Sequence, residues 1–171
     1  IVKEDVPVEN NRVVVGVTHD LNVAKVMLQD VPDRPGVAAT IFSALADEGI
    51  NVDMIVQTPK DTQTTDLLFS IALDDLRRTL EISETVAKTL GAKGVVYNDQ
   101  VAKVSIVGAG MVSNPGVAAR MFRVLAENNI NIETISTSEI KVSCLIRRDQ
   151  ALVAVRAIHD HFELGCETTE N

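Results

Sequence analysis

The residues able to do chemistry fall into three groups. Val107-Gly108-Ala109-Gly110-Met111-Val112-Ser113 follows an apolar run and begins like a dinucleotide fingerprint. That motif needs a third glycine where Ser113 stands, and a helix starting earlier than Pro115 permits. His159-Asp160-His161 offers imidazole and carboxylate together. On a helix, i and i+2 point to different sides, so the two rings do not share one ion, and the trio reads as solvated residues near a helix end. The third group occurs twice: Pro35-Gly36-Val37-Ala38-Ala39 recurs letter for letter as Pro115-Gly116-Val117-Ala118-Ala119. A short turn leading into a helix presents free N–H groups that bind a carboxylate without any special side chain. Among the scattered serines, histidines and Cys144 no nucleophile–base pair stands out, so the expected chemistry is binding rather than catalysis.

The repeated corner belongs to a longer duplication. At an offset of 115 − 35 = 80, residues 35–57 and 115–137 share 11 identities in 23 positions. Ala24-Lys25-Val26 matches Ala102-Lys103-Val104 at 102 − 24 = 78, so the second copy has a first loop two residues longer. Self-similarity on this scale means two copies of one structural unit. Ile50-Asn51-Val52-Asp53 recurs as Ile130-Asn131-Ile132-Glu133. A twice-used Asn between apolar residues either clamps an amino or carboxylate group or simply ends a helix; the residues leave both readings open.

The elements that position these corners follow from periodicity. Residues 12–18 form a β-branched run, hence a strand, and 24–28 is the next. Val37, Ala38, Ile41, Phe42, Leu45 and Ala46 repeat at helical spacing, with Pro35 in the first turn, Asp33 near the positive dipole end and Gly49 as terminator. Strands are expected at 52–57 and 67–73 around a polar turn, then a helix from Asp74-Asp75 to about Leu90 and a strand at 95–97. The second copy repeats the order with strands at 104–107, 132–136 and 141–146. Asn114 is expected to cap its first helix, running to Glu127, and Asp149 its last, to about Phe162. Ala151, Val155, Ile158 and Phe162 would form that last helix's buried stripe. Each copy is thus a βαββαβ unit of ferredoxin-like type. Copy two lacks a closing strand after Glu163 while the strand at 12–18 is spare. The economical fold is α+β with two such domains, the first inserted in the second, and the N-terminal strand completing the second sheet. The resulting organisation is a tail at 1–11, a first domain at 24–99, a second made of 12–18 with 101–164, and a tail at 165–171.

Composition excludes several functions. The chain has 171 residues, a formal net charge of −8 and no Trp. Such a balance does not suit a phosphate-backbone binder, and 3% aromatic residues supply no base-stacking platform. Cys144 and Cys166 are too few for a disulfide framework and lack metal-ligand spacing, so no metal is expected. Cys144 lies in an apolar run and reads as a small buried hydrophobe. No stretch approaches the length of a membrane span and no signal peptide is visible, which makes the cytoplasm the expected compartment.

The corners Asp33-Arg34-Pro35-Gly36 and Asn114-Pro115-Gly116, each followed by a helix and then Ile-Asn-Val/Ile-Asp/Glu, resemble tandem ACT domains. More narrowly, residues 101–111 (VAKVSIVGAGM) and 135–143 (ISTSEIKVS) resemble the regulatory region of aspartate kinase, over residues 12 to about 164. The resemblance implies a regulatory part carrying no kinase domain and no cofactor of its own, with ATP used only by the catalytic subunit. It implies a homodimer joined through ACT domains, a catalytic α-subunit partner, and end-product amino acids as feedback effectors. One half-site would comprise Asp33, Pro35, Gly36, Val37, Ala38 and Gln57, completed by Asn129, Ile130, Asn131 and Ile132 of a second copy. The other would comprise Met111, Ser113, Asn114, Pro115, Gly116, Val117, Ala118, Ser138 and Glu139 with Asn51 and Val52. Asp33 and Gln57 suit threonine at the first site; Glu139 suits a lysine ammonium at the second. Two competing readings remain. A stand-alone amino-acid-binding ACT regulator of another enzyme or of transcription would not co-purify with a kinase chain. A small nucleotide-using enzyme would melt higher with ATP or NAD.

Overall fold

The computed structural model describes residues 13–111 and 113–164. Its elements run β1 (Gly16–Asp20), β2 (Ala24–Pro32), α1 (Val37–Asp47), β3 (Val52–Pro59), β4 (Thr64–Ile71), α2 (Leu76–Leu90), β5 (Gly94–Asn98), β6 (Val101–Val107), α3 (Val117–Glu127), β7 (Thr134–Thr137), β8 (Lys141–Arg147) and α4 (Ala151–His161). Single 3₁₀ turns, Leu73–Asp75 and Arg148–Gln150, lead into α2 and α4. The outermost stretches assigned above to tails, residues 1–11 and 165–171, lie outside the described residues, as do Arg12 and Cys166.

Two four-stranded sheets result, in the orders β3-β4-β2-β5 and β1-β6-β8-β7. The two orders are the same ferredoxin-like pattern, with β1 in the fourth-strand place of the second sheet. Within the first sheet β2 pairs antiparallel with both β4 and β5, and β3 with β4. Residues 20–103 with 147–149 make one compact unit; among the described residues, 13–19, 104–146 and 150–164 make the other.

Each unit buries an aliphatic core between its sheet and two helices. In the first, Val37, Ile41 and Leu45 of α1 sit at i, i+4 and i+8, above Val26, Leu28, Leu67 and Phe69. Phe42 meets Phe69 edge to face at 5.5 Å. In the second, Val117, Met121, Val124 and Leu125 of α3 cover Val104, Ile106, Cys144 and Ile146. The small aromatic content is thus met by branched aliphatics, whose interlocking shapes fill a core as completely as rings do.

Several local expectations are corrected. Among the described residues the first strand begins at Gly16 and leaves out residues 13–15 of its expected run, because Val13 and Val14 approach Gly108 without regular pairing; Val15 N–H still donates to the Val107 carbonyl at 2.8 Å. Pro35 lies two residues before α1, and the N-cap position is Gly36 with no side-chain cap. Asn114 is likewise not a cap: Gly116 holds that place, and the Asn114 amide nitrogen donates to the Gly110 carbonyl at 2.7 Å. Asp149 sits within the 3₁₀ turn and Gln150 occupies the N-cap of α4. Ala154 rather than Val155 completes the fully buried stripe of α4. β7 begins at Thr134, two residues later than its apolar run suggests.

Candidate functional site

Each corner is built by the backbone. Asp33–Gly36 turn the chain from β2 into α1, and Gly36 takes φ 92° and ψ −17°. Its counterpart Gly116, before α3, takes φ 93° and ψ −8°. A Cβ at either would meet nothing within 4 Å, so glycine is there for its backbone angle and not for space. The Gly36 carbonyl accepts both Thr40 N–H, at 2.9 Å, and Thr40 Oγ1, at 3.0 Å, which fixes the first turn. The Val37 N–H lies 3.4 Å from the Arg34 carbonyl, and the next amides of that turn have no intrahelical acceptor, at the positive end of the helix dipole that favours an anion.

In the first unit these amides open into a hollow of about 430 Å³. Asp33, Pro35, Gly36, Val37, Ala38 and Gln57 all line it, joined by Pro32, Arg34, Thr65 and Leu67. Gln57 Nε2 lies 3.4 Å from Asp33 Oδ1, which draws the two polar groups to one rim. Thr65 and Leu67 were not apparent from sequence. They enter because the β3–β4 ladder sets Leu67 opposite Gln57 and Thr65 opposite Pro59, and register is a tertiary property.

In the second unit Met111, Asn114, Pro115, Gly116, Val117, Ala118 and Ser138 line a hollow of about 270 Å³, with Thr137 and Val142 added. Thr137 and Val142 are likewise paired across β7 and β8. Ser113 and Glu139 are exposed and do not line it. A larger space of about 500 Å³ flanks the other side of the same turn, floored by Val13, Val14 and Phe162 and edged by Arg120 and Arg123. Arg120 lies over the Phe162 ring, 4.6 Å from its centre.

The helix-end residues separate into two roles. Gly49 (φ 72°) and Asn129 (φ 56°) adopt the left-handed conformation that ends α1 and α3. Gly49 N–H bonds to the Ala46 carbonyl and Ile50 N–H to Leu45, at 2.9 and 3.0 Å; Asn129 with Ala126 and Ile130 with Leu125 repeat this at 2.9 Å each. That is a complete Schellman closure. Ile50 and Ile130 are buried, Val52 and Ile132 half-buried, and Asn51 and Asn131 exposed. Helix termination therefore falls to positions 49 and 129, and the repeated Asn51 and Asn131 are left without that explanation.

The tempting alternatives are disposed of by geometry. A methyl on Gly108 would overlap the Val13 carbonyl oxygen, and Gly110 takes φ 71° in a turn. Both glycines are thus accounted for by packing and chain reversal. His159 and Asp160 are exposed, 3.8 Å apart, and the described residues contain no group of three metal-ligating side chains. Cys144 is fully buried, and burial pushes its thiol up to about 12.

What remains is a pair of corners that offer amide N–H groups, an aliphatic wall and a few polar side chains. Residues 26–91 and 104–162 each match a family model described as an ACT domain. A solved regulatory subunit of aspartate kinase from Thermus thermophilus is 41% identical, superposes with a TM-score of 0.82, and is covered over 99% of its length by 88% of this chain. The chain belongs to the ACT-domain regulatory family of aspartate kinase. A structure of aspartokinase alpha and beta subunits agrees, at 47% identity, TM-score 0.81, and coverage of 88% of this chain and 99% of that one. Among curated relatives, the aspartokinase of Bacillus sp. (strain MGA3) is 46% identical across 96% of this chain. The chain spans about 40% of that relative's length and matches the regulatory part of such enzymes, not their kinase domain. Among the described residues, no helix is long and apolar enough to cross a membrane.

Proposed function

We propose that this chain is the feedback sensor of an aspartate kinase, and that its two corners bind end-product amino acids. The observation that carries this reading is the duplicated hollow at a helix N-terminus behind a glycine near φ 92°. A free amino acid has a carboxylate for the N–H groups, an ammonium for a side-chain acid or carbonyl, and a side chain for the aliphatic wall. Asp33 with Gln57 gives the first corner the polarity to choose threonine. The second corner has no acid in its wall, and Glu139 reaches a lysine ammonium only if the hairpin at 138–140 folds over the ligand.

The domain boundaries proposed are 24–99 for the first ACT domain and 12–18 with 101–164 for the second. Insertion of one within the other is supported by the place of β1 beside β6. A homodimer in the cytoplasm is proposed in which Asn129, Ile130, Asn131 and Ile132 of one copy close the first corner of its partner. Asn51 and Val52 close the second corner in the same way. Effector binding would order that interface and shift an associated catalytic chain, the kinase that phosphorylates aspartate, toward an inactive arrangement.

The test is calorimetric titration of the purified chain with threonine and with lysine, beside sedimentation velocity. Saturable heat from threonine and a shift toward dimer are expected. Absence of both, with either amino acid in large excess, ends the proposal. Co-purification with a kinase chain separates this reading from an independent regulator.

A further inference from the structure

The two corners differ in a way the repeat conceals. Ile55 and Ile135 correspond at 135 − 55 = 80, while Leu76 and Ala151, the first residues of α2 and α4, correspond at 151 − 76 = 75. The hairpin between them is therefore 80 − 75 = 5 residues longer in the first unit. The extra length is used. Lys60 Nζ lies 2.7 Å from Asp30 Oδ1 and 2.7 Å from Asp66 Oδ1. The Asp30 N–H donates to Asp66 Oδ1 at 2.9 Å, and Thr64 Oγ1 lies 3.4 Å from Asp30 Oδ1. Asp30 stands at the bulge in β2, between Leu28 and Val31, with φ 52°. Three residues further on, the Asp33 N–H donates to the Gln63 carbonyl at the hairpin tip, at 3.0 Å. In the second unit the offset of 80 places Ile140 against Lys60, and the short hairpin reaches back by one backbone bond, Gly108 N–H to the Ile140 carbonyl at 2.9 Å.

We propose that Lys60, gripping Asp30 and Asp66, is a positioning clasp that holds the Asp33–Gly36 turn in its ligand-ready shape. The corner in residues 26–91 thus carries a side-chain clasp, whereas the shorter hairpin in 104–162 meets its corner through the backbone bond from Gly108 to Ile140. The proposal rests on the amino-acid-binding reading above and deepens it. Physically, a non-glycine residue at φ 52° in a strand persists only if its surroundings hold it. A lysine between two carboxylates does so by bridging them and offsetting their mutual repulsion, and the two-point contact fixes the tip of the hairpin against the bulge. A pre-formed site binds with its intrinsic affinity; one populated only in part loses affinity by that fraction.

The experiment uses the full chain and threonine as probe, read by amide NMR at Gly36 and Ala38 against Gly116 and Ala118, with amide hydrogen exchange at Asp33. Lys60→Met is expected to weaken threonine binding at the first corner by roughly threefold to tenfold, leave the second corner unchanged, and speed exchange at Asp33. Lys60→Arg is expected to restore affinity and protection, which general destabilisation would not. Unchanged affinity and protection in Lys60→Met overturn the clasp, as does equal weakening at both corners. If wild type does not bind threonine, the sensor reading fails, and the exchange rate at Asp33 still decides the clasp by itself.

Discussion

Replacing Gly36 or Gly116 by alanine isolates the backbone of the corner from its side chains. Both take φ near 92°, beyond the left-handed basin that L-residues tolerate, and neither would bring a new Cβ within 4 Å of another atom. Steric overlap is therefore absent and the whole cost is conformational, about 2 kcal/mol for a residue held in such a region. If the turn holds its shape, that cost appears as lost stability. If the turn relaxes, it appears as lost affinity, because only a fraction of molecules then presents the amides; 2 kcal/mol corresponds to about 30-fold. Urea unfolding and threonine calorimetry on each variant measure the two shares. Gly94→Ala is the control, since Gly94 has neither a positive φ nor a neighbour within 4 Å. The reasoning is refuted if Gly36→Ala and Gly116→Ala both match the control in stability and in affinity.

Gly108→Ala is expected to cost about 3 kcal/mol, because its methyl must displace the backbone of Val13; a urea midpoint unchanged from wild type would show that the segment at 13–15 does not pack there. Ser105 Oγ and Ser143 Oγ share a buried 2.7 Å hydrogen bond. Either single alanine is expected to lose about 1–3 kcal/mol by orphaning its partner, and the double alanine to recover most of it; additive losses in a double-mutant cycle would contradict that. The Cys144 thiol, raised by burial, should resist alkylation at pH 8 until the protein unfolds, as mass spectrometry of its peptide will report. Asp66 is pushed up by burial, but the Lys60 and Asp30 contacts outweigh this and leave it lowered. Its contribution to stability is therefore present above the unfolded pKa, about 3.9, and is lost as pH falls through the lower folded value. Lys60 is raised, chiefly by its hydrogen bonds to Asp30 and Asp66. Its share is complete below the unfolded pKa and is lost as pH rises through the folded one. Asp66→Asn should flatten the acid limb of the stability profile below about pH 4, and a wild-type profile already flat there would exclude the clasp's electrostatic role.

The sequence by itself determined the duplication, the order of elements in each copy and the two corners. Those properties are local: a letter-for-letter repeat, a helical spacing from Val37 to Ala46, and a Pro-Gly turn at each helix entrance. The corner residues Asp33, Pro35 to Ala38 and Asn114 to Ala118, which lie on the turn itself and line the hollows, are legible for the same reason. Tertiary structure decided what depends on register and on backbone angle. It placed Thr65 and Leu67 opposite Pro59 and Gln57, gave the end of α3 to Asn129 rather than to Asn131, and moved Pro35 out of α1. It also drew Lys60 onto Asp30 and Asp66, residues 30 and 6 positions away. A side chain's type can be read from a string of letters. Which partner it meets is settled only when strands pair, because one step of register turns each residue to the opposite face of the sheet.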